Sequence, residues 1–538
     1  MRPQPASVPG HPALQVFRSL AVALLTMATA CASKPTLPPQ TEAPRVPDSV
    51  ITAIAEIAAH PRYAHSTWGI AVADLKTGDV LFEQNSNKMF VPGSILKTYS
   101  TAAVLDAYGP DYRFRTPVYR LGNLNGGVLD GNLILVAAGD FSFGLREQKD
   151  GKLAFNSAPE IDHNYADTGL PGPTLLKGDP LAALNELAAQ VRVAGIREVH
   201  GNVVIDDRLF EPFSGWPDGM ISPIWVNENV IDITVTPSKS PDKPVTVDWR
   251  PKTAAYTVEA DINIAKETKL EVKAVGPDVV RISGQIAADA GSILQIWQIP
   301  NPSDFARTAF IEALERAGVK VDAAATGPNP AMLLPKDPTY TTSLKVAEHV
   351  SPPLSEFTKV ILKVSYNRGA DLMVGLTAVK VGKSQCLEGI VPEVKNLTRL
   401  GVPDGTTFIF DGAGSDERDR TTPAAMATFL RAVTKQTYGA AFRYGLPILG
   451  VDGTLAMNQK GTPAAGHVQA KTGSRVHGTP ADQGLITGLT QVGYIEAKSG
   501  RRLVFAVMVR DVPISATEEF FTVDGDEGAI AAAIQQAF

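Results

Sequence analysis

The chain has 538 residues, enough for three or four domains of ordinary size and for a large buried core. Hydrophobic residues make up 44% and charged residues 20%, which excludes a mostly disordered or fibrous protein. The formal net charge of −6 lacks the broad basic excess of a nucleic-acid binder, so no nucleic-acid partner is expected.

The first 31 residues read as an address. Arg2 and Arg18 precede an uncharged run from Leu20 to Ala30, too short to span a bilayer but the right length for a signal-peptide core. Ala28-Thr29-Ala30 fits signal-peptidase cleavage, and Cys31 directly after it resembles a lipobox, although Ala28 stands where Leu is usual. The protein is therefore expected to be exported to the periplasm or cell envelope, with Cys31 as the candidate lipid attachment to the membrane. The alternative is cleavage with an incidental cysteine. Cys386 is the only other cysteine, so disulfides are not expected to hold the fold. Residues 32–47 are proline-rich and read as an extended tether.

Beyond the tether, Thr67–Asp74 and Val80–Glu83 read as a hairpin around the turn Lys76-Thr77-Gly78-Asp79. A helix is expected from Ser94 to Tyr108, closed by Gly109-Pro110. From about 119 to 300 short strands dominate, among them Leu133–Val136, Val203–Ile205, Val245–Val247 and Leu270–Val272. A helix over Ala306–Ala317 follows, ended by Gly318. Helical periodicity then runs through Leu354–Val374 and Pro423–Thr434. Strands return at Val468–Lys471 and Leu503–Val509, and the chain closes on a helix over Gly528–Phe538.

Several machineries fail on residue type. There is no H-E-x-x-H, no paired-cysteine metal spacing, no phosphate loop and no G-x-S-x-G elbow. Asp411-Gly412-Ala413-Gly414-Ser415-Asp416 lacks the full ligand ladder of a calcium loop. What remains is Ser94-Ile95-Leu96-Lys97. A serine hydroxyl needs an adjacent base, and a lysine one helical turn away serves as one if burial depresses its pKa. The helix start also aims free N–H groups at a developing oxyanion.

Alone, S-x-x-K is weak, since about one or two copies are expected by chance in such a chain. A second copy, Ser240-Pro241-Asp242-Lys243, sits in loop-forming sequence. Two further elements follow in order. Ser365-Tyr366-Asn367 is an S-x-N, and Lys471-Thr472-Gly473 is a K-T-G, of which only about 0.1–0.2 copies are expected by chance. A strand carrying K-T-G offers a cation and a hydroxyl to a substrate carboxylate, and its glycine allows close backbone approach. The other K-T-G, Lys76-Thr77-Gly78, is explained by turn chemistry.

With these three motifs the chain resembles the class C low-molecular-mass penicillin-binding proteins, D-alanyl-D-alanine carboxypeptidases with endopeptidase activity. Phe90–Ser94, Tyr108–Phe114, Gly131–Val136 with Gly139-Asp140, Gly201–Asp207, Ser351–Leu354, Asp411–Gly414 and Gly450–Leu455 extend the resemblance over most of residues 50–538. Ser365 follows Ser94 by 271 positions, which leaves room for the inserted domains of that class. Tyr366 stands where many relatives carry Asp, and Ser474–Gln483 is long and polar.

The resemblance implies an α/β (α+β) transpeptidase-like core, an antiparallel sheet flanked by helices, built from 48–118 and 331–538, with β-rich insertion over 119–330. It implies that Ser94 attacks the D-Ala-D-Ala carbonyl and that Lys97 takes its proton. Ser365 would relay a proton to the leaving amine, and Asn367 would orient the substrate amide. Lys471 and Thr472 would receive the terminal carboxylate beside Gly473, and the N–H groups of Ser94 and Ser474 would form the oxyanion hole. The expected partners are peptidoglycan stem peptides and, as covalent inhibitors, β-lactams. The chemistry needs no metal or organic cofactor. A β-lactamase-like hydrolase, a non-catalytic penicillin-binding-like scaffold, and an esterase or amidopeptidase on the same core are the alternatives.

Overall fold

A strand buried on both faces reads as an unbroken apolar run, because successive side chains point to opposite sides and both sides are covered. The strand Arg502–Arg510 is such a case. Leu503, Phe505, Val507 and Val509 enter one hydrophobic cluster, while Val504, Ala506 and Met508 enter another. The computed structural model in which these contacts are seen describes residues 46–168, 172–215, 219–238, 245–337, 339–481 and 483–538. The expected export segment with Cys31, the tether up to residue 45, and the second S-x-x-K at Ser240–Lys243 lie outside the described residues.

Arg502–Arg510 is the middle strand of an antiparallel sheet ordered Val468–Gly478, Gly484–Glu496, Arg502–Arg510, Thr67–Asp74 and Val80–Gln84. The short strand Val512–Ile514 pairs with the start of Gly484–Glu496. One face is covered by helices Lys97–Tyr108, Leu354–Lys363, Asn367–Lys380 and Pro423–Val433, which supply Tyr99, Phe357, Leu372 and Phe429. The other is covered by Asp48–Ala58 and Thr517–Ala537 through Val50, Ile54, Ile530 and Ile534. The fold is the mixed α/β core expected, an antiparallel sheet with helices on both faces.

The β-rich middle of the chain has its own hydrophobic cluster. Its largest sheet is mixed, ordered Lys320–Val321, Glu198–Val199, Val128–Val136, Arg113–Asn125 and Lys345–Pro353, with Val203–Asp206 also paired to Val128–Val136. Helices Ala182–Val193 and Pro302–Arg316 pack into the same cluster. Two three-stranded and two two-stranded sheets also lie in this part among the described residues.

Three local expectations change. The periodic stretch Leu354–Val374 is not one helix. It breaks into Leu354–Lys363 and Asn367–Lys380 because Ser365 takes a left-handed backbone, φ 61°. The nucleophile helix starts as a 3-10 turn, Gly93–Leu96, before its α-helical part. The last helix begins at Thr517 rather than Gly528, because burial of Val523, Ile530 and Ile534 outweighs the low helix propensity of Gly525 and Gly528. Gly109 ends the nucleophile helix at φ 82°, as its position suggested.

Candidate active site

Ser94 sits on the 3-10 turn Gly93–Leu96, pressed against the strand Val468–Gly478. Side chains would keep the two apart. A Cβ on Gly93, whose φ is 53°, would lie 2.5 Å from the Ser474 nitrogen, and one on Gly473 would lie 2.3 Å from the Pro92 carbonyl oxygen. Thr490 on the neighbouring strand donates from Oγ1 to that same Pro92 oxygen at 2.8 Å. Backbone without side chains therefore brings the turn and the K-T-G strand together, with the backbone nitrogens of Ser94 and Ser474 on the two facing elements.

Lys97, one turn on, is fully buried. Its Nζ lies 2.7 Å from Ser94 Oγ and donates to the Ala413 carbonyl at 2.8 Å. Burial disfavours the ammonium and brings the pKa down to about 7, against the opposing pull of the Asp411, Asp371 and Asp419 carboxylates. At neutral pH a substantial fraction of Lys97 is thus a free amine within proton-transfer distance of a serine hydroxyl.

The Ala413 carbonyl is held by the loop Asp411–Asp416. Asp411 Oδ1 accepts N–H groups from Ala413 and Gly414 at 3.0 and 2.6 Å, and Oδ2 accepts those of Ser415 and Asp416, both at 2.8 Å. Both oxygens are engaged by backbone, so the carboxylate organises the loop rather than a cation. Asp371 joins it by accepting the Gly412 N–H at 2.9 Å.

The second motif occupies the helix break. Ser365 Oγ accepts a hydrogen bond from Lys471 Nζ at 2.9 Å, and Lys471 also donates to the Thr472 carbonyl at 2.6 Å. Lys471 is fully buried, and burial first, then the Lys97 charge, holds its pKa well below the ordinary lysine value. Asn367 opens the next helix and is 8% exposed. Thr472 Oγ1 shares a 3.0 Å hydrogen bond with Thr454 Oγ1, while Ser474 is exposed. Ser94 pairs with Lys97 and Ser365 with Lys471, and the two lysines interact electrostatically, so three motifs separated by hundreds of residues form one polar centre.

Sequence reasoning singled out neither Thr454 nor the Ala413 carbonyl, nor Asp371 and Asp419. Thr454 lies within Gly450–Leu455, but its hydroxyl gains meaning only through Thr472. A backbone acceptor such as Ala413 has no side-chain signature. The Lys76-Thr77-Gly78 copy is a turn, as its chemistry suggested. Asp74 Oδ1 accepts the N–H groups of Lys76 and Thr77, both at 2.8 Å.

Comparison with known proteins gives a consistent set of matches. The model of the D-Ala-D-Ala carboxypeptidase 3 (S13) family matches residues 50–520. A D-alanyl-D-alanine carboxypeptidase of Actinomadura sp. (strain R39) is 25% identical over 453 residues, 78% of this chain and 75% of that protein. The D-alanyl-D-alanine carboxypeptidase DacB of Haemophilus influenzae is 22% identical over 428 residues, 76% of this chain and 80% of that protein. The crystal structure of penicillin binding protein 4 (dacB) from Haemophilus influenzae superposes with a TM-score of 0.67 at 18% identity. That match covers 90% of this chain and 99% of that one.

Proposed function

The chain belongs to the D-Ala-D-Ala carboxypeptidase 3 (S13) family, and on that premise we propose that it is a serine peptidase acting on peptidoglycan stem peptides through an acyl-Ser94 intermediate. The observation that carries the assignment is the 2.7 Å approach of a buried Lys97 Nζ, its pKa near 7, to Ser94 Oγ. Ser94 Oγ attacks the carbonyl carbon between the two D-alanines and its proton passes to Lys97. The oxyanion is held by the N–H groups of Ser94 and Ser474, a kind of donor typically worth about 3 kcal/mol of barrier each. The C–N bond then breaks, the leaving amine takes a proton by way of Ser365, and D-alanine departs. Water attacks the ester carbonyl, Ser94 regains its proton, and the shortened peptide leaves.

Lys471 and Thr472 receive the terminal carboxylate. A substrate carboxylate supplies the anion that buried Lys471 lacks, so binding favours its charged form. Asn367, at the start of its helix, orients the substrate amide. The same acyl chemistry on a cross-link makes the enzyme an endopeptidase.

A β-lactam presents a strained amide beside a carboxylate and acylates Ser94 in the same way. The Haemophilus influenzae penicillin binding protein 4 has been solved with a β-lactam, which supports this partner. The substrate is part of the cell wall, so the enzyme works in the periplasm or envelope. The apolar run before Cys31 supports export, and Cys31 itself a lipid anchor, checked by the mass of the mature N-terminal peptide. No helix among the described residues is long and apolar enough to cross a membrane.

The test is intact-protein and peptide mass spectrometry after incubation with a penicillin. A stable adduct on Ser94, lost in Ser94→Ala, is expected. Penicillin consumed without an adduct would identify a β-lactamase, and penicillin left intact would identify a non-catalytic scaffold.

A further inference from the structure

The segment 141–168, which follows the strand Val128–Val136, touches three walls of the site. Leu153 N–H donates to Glu356 Oε2 at 2.9 Å, and Lys359 Nζ donates to the Leu153 carbonyl at 2.9 Å, both on the helix that precedes S-x-N. Ser157 Oγ accepts the Gly453 N–H at 3.0 Å, and Ala158 N–H donates to the Gly453 carbonyl at 3.2 Å, one residue before the Thr454 that holds Thr472. Tyr165 reaches S-x-N itself. Its hydroxyl donates to the Ser365 carbonyl and lies 3.5 Å from Asn367 Oδ1.

That carbonyl matters because Ser365 is held in a conformation a serine rarely adopts, and such a residue persists only where its surroundings fix it. Tyr165 is fixed in turn. It lies on the short 3-10 turn His163–Tyr165. His163 Nδ1 is 2.8 Å from Asp232 Oδ1, and its Nε2 is 3.3 Å from Glu228 Oε2. Arg146 makes a two-pronged contact with Asp162, at 2.7 and 2.9 Å, and also bonds Glu228. Arg250 Nε closes the set on Asp232 at 2.9 Å. With His163 protonated, three cations meet three carboxylates, and the side chains of Arg146, Asp162, His163 and Glu228 are fully shielded from solvent. Balanced and desolvated, such a network is stiff and costly to displace.

We propose that Tyr165 is a positioning residue for the reaction. Its hydroxyl clamps the Ser365 carbonyl, so that the left-handed Ser365 backbone keeps Oγ on Lys471, and the buried ionic network anchors the clamp. The inference rests on the peptidase assignment above and names no new substrate contact.

Tyr165→Phe removes one hydroxyl and keeps the ring. A clamp that acts on the Ser365 proton relay makes kcat on a D-Ala-D-Ala peptide fall about tenfold while KM moves less than about two-fold. Penicillin acylation of Ser94 slows in parallel, and the thermal midpoint stays within about 2 °C. In a Ser365→Ala background, Tyr165→Phe adds nothing further, because both changes act through one group. Wild-type kcat in Tyr165→Phe, or the same fractional loss in both backgrounds, overturns the inference while penicillin still labels Ser94. Wild-type protein that takes no penicillin on Ser94 overturns the peptidase assignment and this inference together.

Discussion

In the proposed reaction Lys97 is the base, and its environment is a balance. Desolvation lowers its pKa, and the carboxylates of Asp411, Asp371 and Asp419 raise it. The reactive form is the amine, so penicillin acylation of Ser94 is expected to rise with pH along a limb centred near 7. Asp371→Asn keeps an acceptor for the Gly412 N–H and removes one of the charges that raise the lysine. Its limb should therefore move to lower pH, which a pH series of acylation rates in the two proteins measures. A limb that moves to higher pH, or does not move, would mean that another group controls the rate. The Ser–Lys pair itself is visible as a four-residue spacing. The carboxylates that tune it come from residues 371, 411 and 419, and only the folded chain shows them converging.

At the level of elements, the site is made by an interrupted helix and by two backbones in close contact. Sequence periodicity runs straight through Leu354–Val374 because the apolar spacing continues across the junction at Ser365. The break comes from one left-handed serine, whose conformation leaves no mark on apolar spacing. The hairpin, the nucleophile helix and the K-T-G strand were legible because glycine, turn residues and alternating apolar residues act locally. The meeting of Gly93 with Ser474 was not, since it depends on which strand lies opposite. Gly93→Ala places a Cβ 2.5 Å from backbone in a left-handed conformation. Denaturant unfolding should show a loss of roughly 2–4 kcal/mol. Acylation should slow about a hundredfold, because the turn must back away from the strand. An alanine variant of normal stability and rate would show that the contact is not needed.

For the whole molecule, two histidines buried in carboxylate clusters tie stability to pH. His163 and His349 are each held at a pKa of about 9. Burial lowers both, but Asp232 and Glu228 more than offset it for His163, and Glu147, Asp140 and Glu186 do so for His349. Because the folded pKa lies above the unfolded value near 6.5, their contribution is fully present below that value and is lost as pH rises through about 9. Thermal midpoints taken from pH 6 to 9.5 should fall by a few degrees at the alkaline end, and less in Glu228→Gln, where His163 has lost a partner. A flat profile would mean that these histidines bind protons equally in the folded and unfolded states. Neither cluster could be read from eight scattered histidines, since each assembles side chains from strands, turns and helices distant in sequence.

The strand that carries Lys471 comes first in the order of the core sheet. It pairs along one side with Gly484–Glu496, and from Thr472 onward no described strand pairs with its other side. An open sheet edge invites an extended chain, and the bonds it offers are to main-chain groups that every amino acid possesses. On the proposed reading, in which Lys471 and Thr472 receive the terminal carboxylate, discrimination along a bound peptide therefore concentrates at its final residue. On the same reading, the edge upstream of the cut asks little of the side chains it meets, because its bonds go to main-chain groups alone.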